Sequence, residues 1–315
     1  MRVSKLGEKK LIRQLTRSLP RTRSLLIGAG SDDAAVLRVN KTQLVLTSDI
    51  MFQQTHFPRA LPPFNMGVKL ATANLSDLAA MGATPLALLV SFGFPARFSV
   101  SSAKQIARGI NDVCARYKCS YAGGDTKRSR ELTISGFALG VLDGNALLQS
   151  NARAGDLVCT TGNIGSAACA LHALINNKRA SPKLLSSFLL PRAKIKEGKT
   201  LSKIPRCSAI DITDGLLFSA SQLARSSRVK IAITENSIPV SKEARAYSKA
   251  HKLPKHYLLN TGEDYELLFT LPRLALKKIS GKFRFSIIGS CVRGSCVYLD
   301  GKRVNEEGYD SLKKA

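Results

Sequence analysis

The chain of 315 residues has no tryptophan, only four methionines and four histidines, and aromatic residues make up just 6% of it. Stacking platforms for bases are therefore scarce, which weighs against single-stranded nucleic-acid recognition. Acidic residues are short too: 22 Asp+Glu stand against 48 Lys+Arg, a net charge of +26. No uncharged apolar run reaches the roughly 18 residues of a membrane-spanning helix. The basic start MRVSKLGEKKLIRQL never develops the apolar stretch of a secretory signal. The seven cysteines (114, 119, 159, 169, 207, 291, 296) include no CxxC pair, and the spacings of Cys114/Cys119 and Cys291/Cys296 do not suit zinc. Buried reduced thiols in a cytoplasmic protein are the expectation. A GxxxxGK[ST] loop and the kinase HRD and DFG motifs are all missing. GAGSDD holds a GxG without the third glycine, so a dinucleotide fold is not supported.

The basic excess is scattered in single residues and short groups (Arg13, Arg17, Arg21, Arg23, Lys178–Arg179, Lys194–Lys203, Lys277–Lys282). That pattern reads as a solvated basic surface that steers anions, and specific nucleic-acid binding is not expected. Length and 44% hydrophobic content fit a globular protein of two domains, placed at 1–150 and 151–315, where QSNARAGD marks a polar turn. Periodicity predicts an amphipathic helix over 7–19 with Leu11, Ile12, Leu15 and Leu19 in one stripe. It also predicts a strand ending at Asp49, a long small-residue helix closed by Gly82, and a Ser-capped helix over SSAKQIARGINDVCARYK. Further strand–turn–helix units follow at DLVCTTGNIGSAACALHALI and CSAIDITDGLLFSASQLARSS, separated by a loop-rich basic stretch over 176–208. YLLNTGEDYELLFTLP reads as a loop feeding a buried strand. Alternating strands and helices in both halves give an α/β (α+β) fold class.

Against the general scarcity of acids, nine recur in short clusters: SDDAAV (Asp32, Asp33), TSD (Asp49), NLSD (Asp77), GGDT (Asp125), DITDG (Asp211, Asp214) and TGED (Glu263, Asp264). Each has an ordinary reading as a cap, a turn or a strand end. Asp77 is the least ordinary, because an acid inside an apolar helix needs a partner or a metal. TTGNIGS reads as a plain strand–helix turn. Oxygen-rich clusters without His or Cys partners suit a hard cation such as Mg²⁺, which keeps waters and bridges phosphates. GGDT offers bare backbone to a phosphate, and the helix after DITDG could turn its amides toward an anion.

Taken in this order, SDDAAV, TSDIMFQQTHF, ATANLSDLAAMGATP, GGDT, TTGNIGSAA, DITDGL and TGEDYELLFT resemble thiamine-monophosphate kinase, within the aminoimidazole ribonucleotide synthetase (PurM-like) superfamily. The resemblance runs from Gly7–Glu8 to Gly308–Tyr309. It implies a two-domain PurM-like fold, with an N-terminal domain that dimerises and a C-terminal mixed-sheet domain. It implies direct transfer of the γ-phosphate of ATP to thiamine monophosphate, giving thiamine diphosphate and ADP, in a homodimer using several Mg²⁺ ions and a candidate K⁺. Carried over by motif, Asp33, Thr47, Ser48, Asp49, Asp77, Asp125, Asp211 and Asp214 would ligate Mg²⁺, with Asp125 and Asp214 the most critical. Gly124, Asp125 and Thr213 would contact ATP; His56, Glu263 and Tyr309 would hold thiamine monophosphate.

The chain departs from the family pattern at Ser31, Thr55 and Thr261, where glycines are usual. Ser166 replaces an acid in the second glycine turn, and Gln149 or Ser150 stands where an arginine facing ATP is often found. These departures bear on nucleotide affinity and turn geometry. The rival enzymatic readings are other PurM-like enzymes. A selenophosphate synthetase needs a cysteine near its start, a hydrogenase-maturation enzyme ends in one, and GEDYELLFT argues against the purine-pathway synthetase. A nonenzymatic homologue binding polyanions is the alternative from another class, and the retained acids oppose it.

Overall fold

The protein is described by a computed structural model covering residues 3–20 and 22–304. Among these residues, fourteen strands form two seven-stranded sheets. The first contains β1 (Leu25–Ile27), β2 (Ala35–Val39), β3 (Thr42–Phe52), β4 (Thr84–Phe94), β5 (Ser120–Gly123), β6 (Thr126–Arg128) and β7 (Thr133–Val141). Its order is β1-β2-β3-β7-β4-β5, with β6 also on β4. The second contains β8 (Leu157–Thr161), β9 (Ser208–Ile212), β10 (Val229–Ile233), β11 (Glu266–Leu271), β12 (Phe285–Arg293), β13 (Val297–Leu299) and β14 (Lys302–Arg303). It is mixed and ordered β14-β13-β10-β12-β8-β11-β9. One apolar cluster runs from Val45 and Leu75 beside the first sheet to Cys159 and Phe269 in the second.

The long helix Pro63–Ala80 is buried along nearly its whole length. Proline at its first turn suits helix initiation, since the missing N–H would have no intrahelical partner. The helix packs on β3 and β7 on one side and reaches β9 of the second sheet on the other. Glycines bring it against the helix Val100–Arg116. A Cβ on Gly67 would stand 2.0 Å from the Ile106 carbonyl oxygen, and one on Gly109 would stand 2.0 Å from that of Phe64. Both backbones therefore touch where neither residue carries a side chain.

Several expected boundaries move. β3 does not stop at the TSD acid but continues to Phe52, so Asp49 lies mid-strand; eight consecutive partners on β7 from Leu44 to Met51, with Phe52 after them, hold it extended. The N-terminal helix is Glu8–Thr16, which leaves Leu19 outside it, and Leu15 and Leu19 are exposed. Its contact is instead with the turn before the paired acids, where Ile12 lies 3.0 Å from the Cβ position of Gly30. The cap of the Val100–Arg116 helix is Ser99, whose hydroxyl accepts from the Ser102 amide. The stretch 176–208 contains the helices Pro182–Leu189 and Ile195–Leu201, and YLLN belongs to the helix Lys255–Asn260. Apolar residues there are sparse enough to blur the period, yet Leu184, Phe188, Ile195 and Leu201 are buried.

Candidate active site

Strand alternation sends Val45, Thr47, Asp49 and Met51 to the face of the first sheet covered by the Pro63–Ala80 helix. The helix answers with Asp77, which accepts a hydrogen bond of 2.5 Å from the Thr47 hydroxyl. One turn earlier Asn74 presses on β7, with its amide 2.4 Å from where Gly136 would carry a Cβ. Gly136 is the register partner of Asp49. This close approach seats the NLSD turn of the helix directly over the TSD segment. On its far side the helix meets β9, which brings in Asp211.

The result is a ring of carboxylates from four separate elements. Asp33, Asp49, Asp77 and Asp211 all titrate high. Burial is the largest cause for each, and mutual repulsion adds to it at Asp33, Asp49 and Asp77. Asp49 is pushed up to about 7 and Asp211 to about 6, while Asp33 and Asp77 lie well above the usual carboxylate range. Neighbouring Asp32 is also raised to about 7 by burial, although the amides of Asp33 and Gln149 pull it down.

Two oxygens in this ring, Oδ2 of Asp33 and Oδ2 of Asp211, are buried without a hydrogen-bond partner. Unsatisfied buried carboxylate oxygens are costly, and a cation is the natural complement. Among the described residues no three His, Cys, Asp or Glu side chains converge on one point. Mg²⁺ needs only one or two carboxylates and completes its octahedron with water and phosphate oxygens. The donor set therefore fits a magnesium site completed by substrate.

Other expected ligands take different positions. Ser48 is exposed on the opposite face from Thr47 and Asp49, as the two-residue strand period dictates, so its hydroxyl cannot join the ring. Asp125 is exposed, accepts from the Thr126 amide at 2.7 Å and pairs with Lys127 at 3.4 Å. Gly124 before it packs so close to β4 that a Cβ would meet the Val90 carbonyl oxygen at 1.7 Å. Val90 pairs with Gly136 and Gly136 with Asp49, so the GGDT turn stands three strand spacings, roughly 14 Å, from Asp49. Gln149, where an arginine was the usual pattern, is buried and braces the paired acids. Its side-chain amide donates to Asp33 at 2.9 Å and its backbone N–H to Asp32 at 3.0 Å.

The two acidic turns of the second sheet lock together. The Glu263 N–H donates to the Thr213 carbonyl at 2.8 Å and the Tyr265 N–H to the Ile212 carbonyl at 3.0 Å. Gly262 permits this, since a Cβ there would lie 1.9 Å from the Thr213 oxygen. Asp214 follows Thr213 in the turn before the helix Leu216–Ser227. Within TGED the two acids part ways. Asp264 accepts from the Gly165 and Ala167 amides and so caps the helix Ser166–Ile175, which makes TTGNIGS the plain turn its sequence suggested. Glu263 turns instead toward the first sheet.

There Glu263 meets a residue that the motif reading missed. Lys69, only 3% exposed, reaches Glu263 Oε1 at 2.9 Å and the carbonyl of His56 at 2.9 Å. The other Glu263 oxygen accepts from the Tyr265 hydroxyl at 3.2 Å. Burial first and Lys69 second lower the pKa of His56, whose Nδ1 accepts from the Phe52 amide at 3.1 Å. The sequence signal was a single basic residue inside the long buried helix. The third residue expected here, Tyr309, lies outside the described residues.

The glycine departures are conformationally mild. Ser31, Thr55 and Thr261 do not take a positive φ, so none needs glycine there. Thr55 places its hydroxyl 2.6 Å from His56 Nδ1. Ser166 bonds to Ser241 at 2.9 Å beside the Asp264 cap. A cavity of about 310 Å³ is lined by Ser166, Lys183, Arg192, Lys194, Asp264 and Glu266 among others.

Residues 31–142 match the family described as AIR synthase related protein, N-terminal domain. The chain is 40% identical over 286 residues to thiamine-monophosphate kinase of Pyrococcus horikoshii, covering 90% of each. It is 33% identical to that of Aquifex aeolicus, covering 98% of this chain and 99% of that one. Its fold superposes on the structure of AaThiL complexed with AMPPCP and TMP with a TM-score of 0.90 at 32% identity, over 99% of each chain. With this likeness along nearly its full length, the chain belongs to the thiamine-monophosphate kinase family.

Proposed function

We propose that this protein phosphorylates thiamine monophosphate with ATP, releasing thiamine diphosphate and ADP by direct in-line transfer. The observation that carries this reading is the ring of Asp33, Asp49, Asp77 and Asp211 with its two unpartnered buried oxygens. A polyanion-binding protein gains nothing from such a ring, whereas two phosphates brought into contact need cations between them. Phosphoryl transfer depends on positioning and charge neutralisation more than on a covalent nucleophile. The relatives' name and the AMPPCP and TMP of the neighbouring structure point the same way.

In this reading Asp33, Asp49, Asp77 and Asp211 hold Mg²⁺, with Asp125 and Asp214 serving the nucleotide side. Bound Mg²⁺ supplies neutralisation and alignment of the phosphate oxygens. Thr47 fixes Asp77 through its hydroxyl, and Gln149 fixes Asp33, so the ring is held before substrate arrives. Gly124 and Thr213 contact ATP, Gly124 from a turn closed onto the Val90 carbonyl and Thr213 from the turn ahead of the Leu216–Ser227 helix. His56 and Glu263 hold thiamine monophosphate, joined by Tyr309. The domain division near residue 150 follows the gap between β7 and β8, and dimerisation uses the outer face of the first sheet.

Among the described residues no helix is long and apolar enough to cross a membrane, and a cytoplasmic setting is proposed with the rest. Phosphorus NMR of the protein with ATP, Mg²⁺ and thiamine monophosphate, with and without K⁺, is the test. Thiamine diphosphate and ADP should accumulate only when metal and both substrates are present. ATP hydrolysis without transfer, or no turnover at any metal concentration, would sink the reading.

A further inference from the structure

We propose that Lys69 is a positioning residue for thiamine monophosphate, tying together the two segments that hold it; this rests on the functional reading above. Three observations carry it. The ammonium is buried yet makes two polar contacts at 2.9 Å, one to the His56 carbonyl and one to Glu263. These partners come from segments next to different sheets: His56 ends the short helix after β3, and Glu263 lies in the turn before β11. The ammonium also lies 5.1 Å from the centre of the Phe188 ring, a further cation contact that replaces water.

A buried lysine is costly unless paired, so a hydrophobic residue would serve better if packing alone were needed. What a lysine adds is a point charge with several donors, able to hold a carboxylate and a carbonyl at once. Both oxygens of Glu263 are engaged, one by Lys69 and one by the Tyr265 hydroxyl. The carboxylate therefore has one orientation, set jointly by the Pro63–Ala80 helix and by its own turn. Glu263 also sits at a φ of 66°, a left-handed position that a non-glycine residue keeps only when its surroundings hold it. The lysine thus fixes the gap between His56 and Glu263, and with it the width of the site offered to thiamine.

Calorimetric binding of thiamine monophosphate and of a nonhydrolysable ATP analogue, alongside turnover, tests this on the full-length protein. Lys69→Met should weaken thiamine monophosphate about tenfold or more and leave the nucleotide within about twofold. Glu263→Gln should weaken it similarly, and the double variant should lose little beyond either single change, because one tie is broken in all three. Additive losses, or equal weakening of both ligands, would overturn the positioning role. Should Lys69→Met fail to fold, Lys69→Arg carries the test: it keeps the charge but not the two contacts, and an unchanged thiamine monophosphate affinity would overturn the proposal. Wild-type turnover with unaltered variants rejects only the role of Lys69. Wild-type protein that neither binds nor turns over thiamine monophosphate rejects the functional reading, and Lys69's role with it.

Discussion

Asp33 has one oxygen held by the Gln149 amide and, like Asp211, another that is buried without a partner. Asn at either position keeps the shape but removes the charge, so the expected result is a loss of turnover of about 10²–10³-fold with little change in thermal stability. Wild-type rates from both variants would remove them from the metal site. The same carboxylates predict a pH dependence whose sign is opposite to that of salt-bridged acids. Their folded pKa values lie above the unfolded value, at about 7 for Asp32 and Asp49 and about 6 for Asp211. The folded state then binds more protons than the unfolded chain between about pH 4 and 7. Metal-free stability contributed by these groups is full below pH 4 and is lost as pH rises through 6–7. The proposed Mg²⁺ would have to displace those protons, so its stabilising effect should be small at pH 5.5 and large at pH 8. Melting temperatures with Mg²⁺ and with EDTA at both pH values check this; an equal metal effect at both would contradict the protonation of the ring.

At the scale of elements, the site depends on how closely backbones approach. Gly109→Ala would drive a methyl into the Phe64 carbonyl at 2.0 Å, parting the Val100–Arg116 and Pro63–Ala80 helices. Overpacking of this kind costs about 1–3 kcal/mol, and the shift should carry Asp77 with it. Urea unfolding and turnover should both fall, whereas a variant as stable as wild type would show that the helices can slide. This contact was not legible in the sequence, where Gly67 and Gly109 are single glycines in separate segments. The chemistry was far more legible than the geometry. The motif resemblance grouped Asp33, Asp49, Asp77 and Asp211 as metal ligands, and the fold buries these four acids within one another's electrostatic reach. The pattern could not tell that β3 runs on through Asp49, since TSD looks like a strand end and only the β7 partners keep it extended. That extension turns Ser48 away from Thr47 and Asp49. Nor could it show that Gln149 braces the paired acids, because both partners lie more than a hundred residues away in sequence.

For the whole molecule, one surface remains unexplained by the single chain. Ile50, Leu86, Leu89 and Phe137 are all exposed on the face of the first sheet opposite the Pro63–Ala80 helix, and β4 pairs Leu89 directly with Phe137. An apolar sheet face of this kind marks an interaction surface, and a second copy is the proposed occupant. The carboxylate ring lies on the other face, so Leu89→Asp with Phe137→Asp should yield monomers that keep the Mg²⁺-dependent rise in melting temperature. The net charge of +26 on each chain adds a second, less usual expectation. Two such chains repel, and the interface offers apolar contact without compensating acids among the residues named. Screening shortens the repulsion as ionic strength rises from about 0.01 to 0.15 M, where the Debye length falls from about 30 to 8 Å. The dimer should therefore tighten with salt, the reverse of an interface built on ion pairs. Sedimentation equilibrium across that range would read it: a 34.0 kDa species giving way to twice that mass as salt is added. Monomer at every salt concentration would remove the sheet face as a self-association surface, and dimer that weakens with salt would mean that charges, not the apolar row, hold it together.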